Sequence, residues 1–235
     1  MLRLFHAPAH SAPLAEVLRD LARRRTPFRA ADDAELARVA GSRAHQGLVA
    51  VLHLPVSRTL SPDGVQAWAA APGLALLLDG VENPHNIGAL ARTAAFLGVR
   101  DLAVAGPGAA ALHSGAVYRT AEGAMESLTA WRLEAAAPCI RAFVAAGGTA
   151  VALDVAGTAD LGLVSGWARQ RPCLLVAGGE ERGMAPTALA ACSLRVRIAG
   201  STAVQSLNVS VATALALFAL RGPDRPSGLS GPGRT

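Results

Sequence analysis

The sequence predicts an α/β protein: a parallel sheet with helices on both faces, preceded by a partial small α/β domain. Three observations carry that prediction. From Leu74 onward, short and almost uninterrupted apolar segments alternate with segments of helical length; strands apolar along their whole length are those that helices cover on both sides. Loops rich in glycine and polar residues stand directly behind several of these strands, where open parallel sheets bind their ligands. With 51% hydrophobic and 17% charged residues among 235, the chain has ample apolar material for such a core.

The elements follow in order. Leu14, Val17, Leu18 and Leu21 recur at helical spacing, so Leu14 to Arg25 reads as a helix with a basic end, Arg23, Arg24 and Arg25. "AELARVAG" (Ala34 to Gly41) is a shorter helix closed by its glycine, and "GLVAVLHL" (Gly47 to Leu54) is a strand. Together these bury too little surface for a complete domain. Pro55 to Gly73 holds three prolines and no sustained strand pattern, and reads as a linker with room for one helical turn. Strands are then expected at Leu74–Asp79, Asp101–Gly106, Thr149–Val155, Pro172–Gly178 and Ser193–Gly200. Helices are expected near Ile87–Leu97, Ile140–Ala146 and Pro186–Ala191. The last helix lies in "VQSLNVSVATALALF" (Val204 to Phe218). Val211, Leu215 and Phe218 recur along one side, and Val209, Ala212, Ala216 and Leu217 fill much of the rest. A helix apolar nearly all round is enclosed or lies in a subunit interface. Arg221, Gly222 and Pro223 supply its stop, and Pro223 onward reads as a disordered tail. The domains are thus expected at 1–54 and 74–222, with a linker at 55–73 and a tail at 223–235.

Charge and cysteine usage bound the function. There are 22 basic and 17 acidic residues, a net charge of +5, and every basic residue is arginine. That balance favours an anionic partner, though a codon bias towards Ala, Gly and Arg explains it equally well. Arg23, Arg24 and Arg25 are either phosphate contacts or a solvated helix end. Cys139, Cys173 and Cys192 are too dispersed for a zinc site or a disulfide framework, so reduced structural thiols in a cytoplasm are expected. Nothing resembles a signal peptide or a membrane span.

Three loops concentrate chemistry: "DGVENPHNIGALAR" (Asp79 to Arg92), "AGGEERGMAP" (Ala177 to Pro186) and "IAGSTAVQSLN" (Ile198 to Asn208). Asn86 and Arg92 lie six residues apart; taken alone, Asn86 suits a helix cap and Arg92 a solvated position. Gly178 and Gly179 allow close approach of backbone to a ligand, and Glu180 is a carboxylate just past a buried strand. Before the last helix, one of Ser206 and Asn208 suffices as a cap, which leaves the other and Gln205 unexplained. No G-x-G-x-x-G follows the first strand, no lysine exists to complete a Walker loop, and no serine sits in a G-x-S-x-G elbow. A nicotinamide-dependent dehydrogenase is thereby disfavoured.

"LLLDGVENPHNIGALARTAAFLGV", "LLVAGGEERGM" and "VQSLNVSVATAL", in that order and at roughly the right spacing, resemble the three motifs of the SpoU, or TrmH-like, RNA ribose 2′-O-methyltransferases of the SPOUT superfamily. The resemblance spans about Leu74 to Leu220, and "HQGLVAVL" with the helices before it looks like the end of the family's small RNA-binding domain. It implies a C-terminal trefoil knot, a homodimer whose active site draws on both subunits, and S-adenosyl-L-methionine as cofactor, with no metal and no membrane. It also implies methylation of a ribose 2′-hydroxyl in tRNA or rRNA; a knotted RNA-binding protein without catalysis is the alternative. By position, Gly178, Ile198 and Leu207 match the family's cofactor contacts, with Leu153 at the adjoining strand end. Asn86, Arg92, Glu180, Ser206 and Asn208 match its catalytic and substrate-positioning set. Where many members carry Ile-Pro-Met and then glycine, this chain has Ala199, Gly200 and Thr202 in the later places, and loss of the proline loosens the loop.

Overall fold

A computed structural model describes residues 1–222 apart from 54, 56, 57 and 202. The tail expected at 223–235, with Pro223, and the substituted position Thr202 lie outside the described residues, as does Leu54. The chain divides into two compact units, Met1–Val56 and Ser57–Thr235.

The first unit holds β1 (Arg3–His6), α1 (Ala15–Arg23), β2 (Phe28–Ala30), α2 (Asp33–Ala40) and β3 (Leu48–Val51). Its sheet has the order β2-β1-β3, parallel between β1 and β2 and antiparallel between β1 and β3. Strands of four and three residues are too short to show a period, so β1 and β2 were not foreseen. Asp32 starts α2 by accepting from the Glu35 amide at 2.8 Å, and Gly41 ends it at φ +64°. Phe5, Ala31 and Leu36 form the core, flanked by Val39, Val49 and Val51.

The second unit runs β4 (Arg58–Thr59), α3 (Pro62–Ala69), β5 (Gly73–Asp79), α4 (Pro84–Phe96), β6 (Asp101–Ala105), α5 (Gly115–Ala121), β7 (Thr129–Leu133), α6 (Ala136–Ala145) and β8 (Thr149–Leu153). It continues with β9 (Ala159–Asp160), β10 (Pro172–Gly178), α7 (Pro186–Ala191), β11 (Leu194–Arg197) and α8 (Val209–Arg221). Its eight strands stand in the order β4-β7-β6-β5-β10-β8-β11-β9, and every pairing is parallel. Two apolar layers cover the sheet. Ile87, Leu90, Leu217 and Leu220 of α4 and α8 pack with Leu76 and Leu78 on one face, while Val65, Ile140, Phe143 and Ala188 of α3, α6 and α7 pack with Leu77 and Val176 on the other. Burial on both faces is why Leu76, Leu77 and Leu78 run consecutively apolar.

One expectation is corrected here, and a second is narrowed to one of its two alternatives. The segment 55–73, expected as a linker, contributes strand β4 and the two-turn helix α3. Ser61 caps that helix by accepting from the Gly64 amide at 3.2 Å, and Leu60 and Val65 enter the core. Prolines at its start hid it, because a proline in the first turn is compatible with a helix. The last helix is not enclosed within the chain. Val209, Ala216, Leu217 and Leu220 are buried, but Val211, Leu215 and Phe218 keep 50%, 45% and 56% of their surface exposed. An all-round apolar pattern does not tell which side meets the sheet.

Candidate active site

In the sheet order, β5 leads through β6 to β7 on one side and adjoins β10, β8 and β11 on the other. The crevice beyond the carboxyl ends of β5 and β10 is therefore the switch point at which such sheets bind ligands. There the loops after β5, β6 and β10 cross at distances that only glycine permits. A Cβ on Gly108 would lie 1.9 Å from the Val81 carbonyl oxygen, and one on Gly179 2.2 Å from that of Gly80. A Cβ on Gly178 would lie 2.4 Å from Gly183 C and Met184 N, so this glycine is required by the chain's own fold-back.

Asp79, at the end of β5, ties the crossing together. It is 7% exposed. Its Oδ2 accepts from the Ala185 amide at 2.7 Å, and its backbone carbonyl accepts from the Gly179 amide at 3.1 Å. The loop 179–185 is thus held at both ends by one residue, with Gly183 also donating to the Gly179 carbonyl at 2.9 Å. Sequence reasoning passed over Asp79 as the first residue of a loop; its signal is a carboxylate ending a run of three leucines.

The helix cap of α4 is Asn83, whose side chain accepts from the His85 amide at 2.9 Å. Asn86 is thereby released from capping, and its Nδ2 donates to Glu180 Oε1. Asn208 caps α8, accepting from the Ser210 amide at 2.9 Å, and its Nδ2 lies 3.4 Å from both Asn86 Oδ1 and Glu180 Oε1. Three residues from α4, the β10 loop and the start of α8 meet in one polar cluster. Ser206 is exposed on the approach to it.

Arg92 is not gathered into this cluster. Six residues from Asn86 correspond to a rotation that leaves the two side chains about 120° apart round the helix. The Arg92 guanidinium pairs instead with Glu122, just past α5, at 2.8 Å. Of the other expected residues, Gly178 closes β10, and Leu153, at the end of β8, pairs with Ala177 and Val196. Ile198 and Leu207 bracket the loop before α8, where Leu207 is 43% exposed. Among the described residues of 199–207 the one hydrogen bond is from the Ala203 amide to Ser201 Oγ, at 3.4 Å. Val204 and Leu207 stand exposed on this loop, whose backbone, among the described residues, is little engaged by the rest of the chain. Arg23 and Arg24 are exposed and share Asp20 at 3.3 and 2.7 Å; Arg25 has a left-handed backbone, φ +54°.

Burial pushes the thiols of Cys139 and Cys192 up to about 12 and that of Cys173 to about 11. None supplies a thiolate nucleophile near neutral pH. Among the described residues no group of three or more His, Cys, Asp or Glu is placed to hold a metal ion, and no helix is long and apolar enough to cross a membrane.

Comparison with known proteins matches residues 73–218 to the SpoU rRNA methylase family. The chain is 34% identical over 205 residues to YfiF of Escherichia coli O157:H7, described as an uncharacterised tRNA/rRNA methyltransferase; the match covers 86% of this chain and spans 56% of the length of YfiF. It is 32% identical over 218 residues to the 23S rRNA (guanosine-2′-O-)-methyltransferase RlmB of Xanthomonas axonopodis pv. citri, covering 92% of this chain and 85% of that protein. Among solved structures, the SpoU methyltransferase AviRb of Streptomyces viridochromogenes in complex with AdoMet superposes with a TM-score of 0.75 at 27% identity, over 94% of this chain and 81% of that one.

Proposed function

The chain belongs to the SpoU rRNA methylase family, and we propose that it transfers a methyl group from S-adenosylmethionine to a ribose 2′-hydroxyl of ribosomal or transfer RNA. The convergence of Asn86, Glu180 and Asn208 at the switch point carries this reading, because residues up to 122 positions apart meet there in one hydrogen-bonded set. The names of the relatives support the same chemistry.

When bound, S-adenosylmethionine supplies a sulfonium methyl for in-line attack by the hydroxyl. Gly178, Ile198 and Leu207, with the strand end at Leu153 and the backbone of the described residues before α8, would hold the adenosine of the cofactor. The amide groups of Asn86 and Asn208 both turn to Glu180 Oε1, which registers α4, α8 and the β10 loop against one another. Asn208 and Ser206 orient the nucleotide, each from the start of α8. The guanidinium of Arg92 carries five N–H donors and no acceptor, so it serves as a cation and not as a proton acceptor. It balances the phosphate and the developing alkoxide, and the proton leaves late, to solvent water, as the O–CH3 bond forms and the S–CH3 bond breaks.

Arg92 and the polar cluster lie on different faces of α4, which supports a site completed by a second copy. The exposed stripe of Val211, Leu215 and Phe218 on α8 is the apolar face that such a homodimer covers. A knotted C-terminus is part of this reading through the chain's membership of the family. We place the protein in the cytoplasm, with Arg23, Arg24 and Arg25 contributing to RNA contact.

The test is calorimetry with S-adenosylmethionine, followed by transfer of labelled methyl to ribosomal RNA from cells lacking this chain. Binding and a new 2′-O-methyl mark are expected. Absence of binding at millimolar cofactor would replace the enzyme with a catalytically silent RNA-binding protein.

A further inference from the structure

Helix α4 turns one stripe of residues towards α5. His85 Nδ1 lies 3.2 Å from Thr120 Oγ1. One turn on, Gly88 comes so close that a Cβ there would lie 2.7 Å from Thr120 Cβ and 2.8 Å from the Val117 carbonyl oxygen. A turn further, Arg92 Nη1 reaches Glu122 Oε1 at 2.8 Å. The missing side chain at Gly88 sets the helix spacing, and the spacing delivers Arg92 to the end of α5.

Glu122 is a poor occupant of that end on local grounds. Its backbone is left-handed, φ +46° and ψ +53°, a conformation that glycine adopts far more readily. Glycine stands next to it, at position 123. Its carboxylate also sits at the negative pole of α5, where an anion is disfavoured. Local strain at a charged residue points to function, and the partner of this residue is Arg92.

We propose that Glu122 is a positioning residue for Arg92: a resident carboxylate that holds the guanidinium until an RNA phosphate takes its place. This rests on the RNA-directed reading above. Both side chains are more than half exposed, 57% for Arg92 and 61% for Glu122, so the pair exchanges cheaply. A phosphate offers the guanidinium the same charge as the carboxylate and a second oxygen for a bidentate contact. Without Glu122 the RNA has no competitor for Arg92.

The experiment measures the dissociation constant for ribosomal RNA from cells lacking this chain, at low salt, with Glu122→Gln and Glu122→Gly in both the wild-type and the Arg92→Ala background. Both variants should bind RNA about two- to fivefold more tightly, the range set by an exposed ion pair, and neither should do so once Arg92 is alanine. Glu122→Gly should also melt at a higher temperature, since glycine relieves the left-handed strain. A purely structural role would move the melting temperature without an Arg92-dependent change in affinity. Unchanged or weaker binding, or equal tightening in the Arg92→Ala background, overturns the proposal. Methyl transfer by the wild type is read separately: its failure with the affinity pattern intact would remove the enzyme and leave the exchange standing.

Discussion

Two loops leave the carboxyl edge of the same sheet and are built in opposite ways. The loop after β10 is pinned: Asp79 holds both its ends, Gly178 and Gly179 allow backbone to cross backbone, and Glu180 stands at a determined place. The loop after β11 is open. A Cβ at Gly200 would meet nothing within 4 Å, and among the described residues its internal bonding is one contact at 3.4 Å. Rigidity and freedom thus lie side by side. A carboxylate that registers two helices must not move, whereas a loop that wraps a ligand gains by keeping its backbone groups uncommitted until the ligand arrives.

The contrast breaks most visibly at the glycines. Gly179→Ala drives a Cβ to 2.2 Å from the Gly80 carbonyl oxygen, and thermal or urea denaturation should show a loss of about 3 kcal/mol. Gly200→Ala should change stability by no more than about 0.5 kcal/mol. Equal effects would mean that the two loops are equally constrained. Asp79→Ala comes next. It strands the Ala185 amide and should cost about 1–3 kcal/mol, with faster hydrogen exchange at Ala185; Asp79→Asn keeps an acceptor and should recover most of the loss. The smallest effect sharpens the open side. Ala199→Pro places a proline in the loop proposed to hold the cofactor and should raise S-adenosylmethionine affinity about two- to fivefold by restricting the free loop. Calorimetry showing no gain would mean that the loop is already ordered without ligand.

The same division separates the sides of α8. Leu217 is fully buried against the sheet, and the neighbouring Phe218 is 56% exposed. If the proposed homodimer forms through this stripe, Phe218→Asp should leave the melting temperature of a dilute sample nearly unchanged while sedimentation shows a shift from dimer to monomer. A dimer that survives would move the subunit contact elsewhere.

Much of the architecture was legible from the residues alone. Continuous apolar runs such as "LALLL" and "CLLVA" can only be strands covered on both faces, and the loops behind them had to carry the polar groups. Asn86, Glu180 and Asn208 were singled out as a set by the resemblance of the three motifs; taken alone, Asn86 and Asn208 suited helix caps and Glu180 was a carboxylate just past a buried strand. Short elements were not: β1, β2 and β7 are too brief or too mixed to show a period, and the prolines before α3 imitated a linker.

By itself the sequence determined the class of fold, the order of most strands and helices, and the three loops that gather polar groups behind the strands, because burial on two faces imposes apolarity that is local and readable. Only the tertiary structure decided which asparagine caps α4 and which is free, that Arg92 turns to Glu122, that Asp79 ties down the β10 loop, and which side of α8 meets the sheet. Those outcomes depend on strand order and helix spacing, which bring together residues far apart in the chain, and no local pattern encodes which distant partner a side chain will face.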